Sequence, residues 1–299
     1  MGAKARARIA LTLMVVFVLG GCSQAPAPPS LPSSPPAPIP SPGGASPAPP
    51  ASPAPDPSPA RGVREVTTFF LRDQSGQLWV EPVVIALEQP TRAVARAAVE
   101  TLLRGQAPSP GLSSPANPAT TVRGASLSGG VLTIDLSGDV RRPAGGSAAE
   151  AGFAQQLAHA AAQFDGIDAV RLWVDGAPVS ELWGHVDWSK PIRPDPFVLS
   201  PIVILQPRWG ATVPVGALTL RGEANTFEAT VGLRLISPGG RIVEETFTTA
   251  TCGTGCRGTW SQTFPLPSAG RWTIEAFEDD PSGGEGRPPF TTRVEVEAR

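Results

Sequence analysis

The chain has 299 residues, a formal net charge of −2, 36 prolines, 32 glycines and an aromatic share of only 6%. That length allows one large or two ordinary domains, while so much proline and glycine means the folded part is shorter than the chain. Near-neutral charge leaves no basic field to neutralise phosphates, so nucleic acid is excluded as a main partner.

The N-terminus opens with Lys4, Arg6 and Arg8, followed by the apolar run from Ile9 to Leu19. That run is too short for a comfortable membrane span and has the order of an export signal. It ends in Leu19-Gly20-Gly21-Cys22, two residues without bulk before a thiol. This spacing resembles the bacterial lipobox, so residues 1–21 are expected to be a lipoprotein signal peptide and Cys22 the lipidated first residue of the mature chain. From Ser23 to about Arg61 nearly every residue is Pro, Ala or Ser, with Asp56 the only acid. Residues 22–61 lack the apolar side chains that offset ordering entropy and are expected to form an extended tether. At ~3.1 Å per residue, roughly forty residues reach up to ~120 Å from a membrane.

Residues 62–190 alternate strand and helix signals. Val66–Leu71 and Leu78–Leu87 flank the turn at Asp73–Gly76 and predict a hairpin. Pro90 is placed to open a helix that Gly105 closes, with Arg92, Arg96, Glu100 and Arg104 on its wet face. After a proline-rich loop, Val122–Ser128 and Val131–Ser137 meet at Gly129-Gly130, a pair suited to a tight hairpin. Ser147 and Glu150 have the spacing of a capping box ahead of Phe153, Leu157, Ala160 and Phe164, which predicts a second amphipathic helix ended by Gly166. Val170, Leu172 and Val174 then alternate up to the turn Asp175-Gly176, and Val179–Val186 is expected to return as a strand. The order is ββαββαββ, an α+β domain with two helices covering one face of a sheet. After "SKPIRPDPF" only short β-like runs follow, at Pro201–Gln206, Ala217–Glu223, Phe227–Ser237, Arg241–Thr248, Thr259–Pro265, Gly270–Asp279 and Thr291–Glu297. Residues 198–299 therefore predict an all-β, immunoglobulin-like sandwich.

Chemistry-bearing residues are few. The two histidines, His159 and His185, limit acid–base and metal chemistry. His159 lies off the apolar stripe of its helix and is expected to be solvated. His185 and Asp187 could share one side of a strand, but two ligands do not make a metal site, and a structural role is favoured. No G-x-S-x-G, phosphate-binding glycine loop or H-E-x-x-H is present, so no catalytic residue, cofactor or metal is assigned. The acid-rich stretch "EDDPSGGEG" (278–286) does not match an EF-hand and reads as a solvated loop, with weak Ca²⁺ binding the minor alternative. Trp183, Trp188 and Trp209 fit either a binding surface or core. Cys252 and Cys256 enclose Gly-Thr-Gly in an exported chain, so a disulfide worth ~2 kcal/mol is the first expectation and a redox or metal pair the second.

The segments "AVETLLRG" ending at Gly105, "GGVLTIDLS" (129–137) and "QLAHAAAQFDGIDAVRLWVDG" (156–176) resemble the GerMN domain of bacterial sporulation and spore-germination lipoproteins. "QPRWGATV" and "LRGEANTFEATV", within 206–231, are similar to the immunoglobulin-like domain that follows GerMN in many of them. The resemblance implies an envelope lipoprotein that builds or joins an assembly without being an enzyme, held at the outer face of the cell membrane by its lipid. Its expected partners are other envelope proteins or further copies of itself. The competing expectation is a binding module for peptidoglycan or another envelope carbohydrate, unrelated to sporulation.

Overall fold

The computed structural model describes residues 64–87, 94–142, 145–279 and 287–299. The signal peptide, Cys22, the whole tether, Pro90, Arg92 and the centre of the acid-rich loop lie outside the described residues.

The N-terminal domain begins with strands β1 (Arg64–Gln74) and β2 (Gln77–Leu87), paired antiparallel through a turn in which Ser75 and Gly76 both take positive φ. Helix α1 (Val94–Leu103) buries Val94, Ala98, Val99, Leu102 and Leu103, the stripe expected from its spacing. Its Arg96 binds Glu100 one turn on at 2.7 Å and donates to the Val122 carbonyl at 2.8 Å. The short β3 (Leu112–Ser113) pairs with β1, and the hairpin β4 (Val122–Ser128) and β5 (Val131–Leu136) turns at Gly129-Gly130, whose φ values of +55° and +77° suit a two-residue turn. Helix α2 (Ser147–Ala162) leads to β6 (Ala169–Val174), which pairs in parallel with β5, and then to the two-residue β7 (Ala177–Pro178).

The strands form two hydrogen-bonded sheets, β2-β1-β3 and β4-β5-β6-β7, with α2 packed against β1, β2 and β6. The reason they stay apart lies in α2. The Gln156 amide, fully buried, donates to the Phe69 carbonyl at 2.8 Å, and Gln163 accepts the Thr67 N–H at 3.1 Å while donating to the Thr67 carbonyl at 2.6 Å. Glutamine amides thus occupy the edge of β1 that a neighbouring strand would otherwise fill, satisfying backbone groups that cannot be left unpaired.

Two local expectations are corrected. The capping box does not form: Gly146 is the N-cap of α2 and no side chain caps it. Glu150 is instead fully buried, one oxygen accepting the Trp183 N–H at 3.0 Å and the Trp188 indole N–H at 2.9 Å, the other the His185 N–H at 2.7 Å. Val179–Val186 is consequently not a strand. These three donors bend it into a loop that Trp188 N–H closes on the Ser180 carbonyl at 3.0 Å. Stacking of Trp183 on Phe153, with ring centroids 5.3 Å apart, and burial of Trp188 seal it.

The C-terminal domain comprises β8 (Ile202–Gln206), β9 (Ala211–Val213), β10 (Gly216–Ala224), β11 (Thr230–Ile236), β12 (Ile242–Thr249), β13 (Gly258–Leu266), β14 (Gly270–Phe277) and β15 (Thr291–Ala298). All seven predicted strands are present. β9, three residues pairing in parallel with β15, is additional. The sheets β13-β10-β8 and β12-β11-β14-β15-β9 enclose Leu220, Leu233, Trp260, Phe264, Trp272, Ile274 and Val296. Gly222 is obligatory there, because a Cβ would run into the Val203 carbonyl and the Trp260 ring.

Replacing Glu150 by alanine strands two backbone and one indole N–H in the interior. Urea unfolding of Glu150→Ala is expected to show a loss of about 3 kcal/mol or more. Glu150→Gln, which keeps one accepting oxygen, should lose less.

Candidate functional site

The two domains meet through side chains that each core claims. Trp79 on β2 is buried in the sandwich core, edge-on to Phe290 at 6.0 Å, with the Arg287 guanidinium 5.4 Å from its ring centre. Gln74, at the end of β1, donates to the Pro289 carbonyl at 2.9 Å and accepts the Thr291 N–H at 3.2 Å. Glu81 is buried, paired with Arg72 and within 3.3 Å of the Ser200 hydroxyl. The Ser200 N–H donates to the Val80 carbonyl at 2.9 Å, and Arg257 donates to the Ser200 carbonyl at 2.5 Å. Burial lowers the Arg257 pKa from its ordinary value, against an opposing pull from Glu223 at 3.8 Å.

The stretch "SKPIRPDPF" is an ordered crossing. Gln155 of α2 brackets it by donating to the Arg193 carbonyl at 3.3 Å and accepting the Asp195 N–H at 2.8 Å. His159, expected to be solvated, is half-buried: its ring lies 5.3 Å from that of Phe69 and Nε2 donates to the Asp195 carbonyl at 3.0 Å. Burial lowers its pKa, only partly offset by that hydrogen bond. His185 is exposed in the Glu150-held loop. Asp187, also exposed, bonds Ser189, which together with Lys190 holds its carboxyl below the usual range. The paired strand positions expected for His185 and Asp187 are therefore absent.

Beside this junction lies a cavity of about 430 Å³, bounded by residues 82–86 of β2, the turn 208–211 and residues 292–294 of β15. Arg208, 3.8 Å from Glu65, and the partly buried Trp209 form one wall. Of the three tryptophans left open by sequence, Trp188 is core, Trp183 caps core, and Trp209 faces this cavity.

A second surface lies on the outer face of the five-stranded sheet. Glu245, Arg234, Glu275 and Arg293 stand in register across β12, β11, β14 and β15, with contacts of 2.7, 3.0 and 2.6 Å. Glu245 and Glu275 raise the Arg234 pKa, and its guanidinium lies 4.1 Å over Phe277. Phe247 beside this row is 69% exposed. Cys252 and Cys256 are joined by a disulfide in the loop between β12 and β13, with Cα atoms 5.8 Å apart.

Residues 67–180 match the family described as sporulation and spore germination, and residues 201–285 match the immunoglobulin-like domain of bacterial spore germination. Two successive segments of the chain thus match sporulation and spore-germination domains, in the order GerMN-like then immunoglobulin-like. Neither is a family of known enzymes. Among solved structures it is similar to the tandem GerMN domains of the sporulation protein GerM from Bacillus subtilis, with 12% identity over 48% of this chain and a TM-score of 0.38. It spans 48% of that structure. It is also similar to the first GerMN domain of the same protein, with 23% identity, 43% of this chain against 97% of that one, and a TM-score of 0.35. No curated protein sequence matches the chain significantly.

Because the folded-state pKa of His159 is lowered, the unfolded chain binds more protons and stability rises with pH. The contribution is whole above the free value of 6.5 and is lost as the pH falls from there through the lower folded value. His159→Gln, which retains an N–H donor, should flatten the dependence of the urea midpoint on pH below 6.5. Trp79→Ala is expected to cost about 3–5 kcal/mol and to split one thermal transition into two, as calorimetry would show.

Proposed function

We propose that the chain is a lipid-anchored cell-envelope protein that serves a sporulation or germination assembly as a non-enzymatic interaction part. The observation that carries this reading is the succession of a lipobox-like Leu19-Gly20-Gly21-Cys22, a proline-rich stretch and two sporulation and germination domains in one chain. The junction between the domains supports it, because Trp79, Gln74 and Glu81 join them into one body able to present surfaces from both. In this reading Cys22 carries the acyl chains at the outer face of the cell membrane, and the tether keeps the body clear of the lipid. Its partners are other envelope proteins or further copies of the chain.

Two measurements test it. Mass spectrometry of the mature protein should find acyl groups on Cys22; an unmodified chain beginning at Met1 would remove the anchor from the proposal. Cross-linking of the full-length protein in growing and in starved, developing cells should enrich envelope proteins or the chain itself only in the latter. Equal recovery with wall polymer alone in both conditions would replace assembly with polymer binding.

A further inference from the structure

The outer face of the five-stranded sheet is complementary to itself. Its charged row runs from Glu245 on β12 through Arg234 on β11 and Glu275 on β14 to Arg293 on β15, each directly opposite the next. β9 begins only opposite Val296, so the row ends at Arg293. Four members of alternating sign form a pattern that changes sign when its order is reversed. A two-fold axis parallel to the strands, passing between β11 and β14, keeps height along the strands and reverses order across them. It sets Glu245 over Arg293 of a second copy and Arg234 over the second copy's Glu275, and symmetry repeats both contacts. An axis across the strands would set every charge of the row over its own like, an arrangement that is strongly disfavoured.

We propose that two copies of this chain associate sheet against sheet through this face, about the axis parallel to the strands. The neighbouring row fits the same axis. Phe247, Gly232, Phe277 and Thr291 stand in register across the four strands. The axis carries Phe277 of the second copy over Gly232. A hollow of about 330 Å³ lies there, bounded by Gly232, Phe247 and Phe277, and it receives the arriving ring. Position 232 has no room for a side chain, because a Cβ would already meet its own Phe277 ring.

The ends of the row have bonding capacity to spare. Among the described residues, Glu245 is bonded through Oε2 alone and Arg293 through Nε and Nη2, both to partners within the sheet. Both side chains are exposed, and they are the two that the axis brings together. Facing sheets pack about 10 Å apart, a gap that an arginine and a glutamate span between them. Each charge therefore gains a second partner without giving up its first. Apolar burial acts in the same direction, since the exposed Phe247 is carried onto Thr291 of the second copy and leaves water. The inference deepens the proposed function by naming a second copy as partner, and it rests on that reading only for the role of an interaction part.

Sedimentation velocity of the full chain in detergent, over a range of concentrations, tests it with Glu245→Arg and Arg293→Glu. Wild type should dimerise. Each variant alone sets like charges against one another at both ends of the facing rows, so its self-association should weaken by about tenfold or more. Mixed together, the two variants restore opposite charges at every facing position and should form a one-to-one dimer close to wild type in strength. Pairing within one sheet predicts no such rescue, because Glu245 and Arg293 do not touch there. An unchanged near-ultraviolet circular dichroism spectrum shows that each variant is folded. A wild type that stays monomeric, single variants that associate as the wild type does, or folded variants that fail to pair when mixed would each overturn the proposal. Cross-linking to envelope proteins in developing cells is a separate outcome, so the failure of this face and the failure of the assembly reading are told apart.

Discussion

The buried carboxyl of Glu150 is the contact around which the second half of the N-terminal domain is arranged. Three N–H groups converge on it from residues 183, 185 and 188. A carboxyl group out of water is tolerated only when its oxygens are well supplied with donors, and the donors are equally committed because they too are buried. The loop thus brought onto α2 carries Trp183 and Trp188 to Phe153 and closes that side of the N-terminal core. Farther along α2, between one and three turns on, Gln155 and His159 receive the crossing at Arg193 and Asp195. Farther along, Leu199 and Ser200 reach the outer side of β2. α2 is therefore an amphipathic helix whose polar residues are also structural, each completing a stretch of backbone that has no strand beside it.

Much of this fold was legible in the sequence, and the boundary of what was legible has a physical basis. β5, β6, β10 and β13 show period-two burial because one face meets a core, and their turns fall where Gly129-Gly130 and Asp175-Gly176 accept positive φ. These are local signals. Ser147 and Glu150 also form a local pattern, but three-residue spacing at a helix start is equally compatible with a glutamate turned inward. The choice was made by donors more than thirty residues away. The glutamines that divide the two sheets raise the same difficulty, since Gln156 looks like any polar helix position until Phe69 stands beside it. His159 was misplaced for a related reason, because its helix face meets a crossing segment with no apolar periodicity of its own.

At the candidate site, Trp79 was readable as a strand residue but not as part of the other domain's core, because both its neighbours and its partners are apolar. The cavity was not readable at all. It arises from the register of β1 against β2, which decides that even-numbered residues of β2 face outward, and from the placement of 208–211 by the β9–β15 pairing. β9 itself is too short to show a period. Register is a non-local quantity, and a one-residue slip would have sent Glu81, Val83 and Ile85 outward instead.

Sharing a core has a mechanical consequence for a molecule on a tether. Domains that only touch through polar surface reorient against one another, whereas withdrawing Trp79 from the sandwich would expose its ring and open a void beside Phe290. The hydrogen bonds of Gln74 to residues 289 and 291 and of Ser200 to Val80 break in the same motion. The charge row on the outer sheet and the cavity beside β2 are consequently held in one frame, and a partner touching both would bind without the ordering cost that independent domains impose.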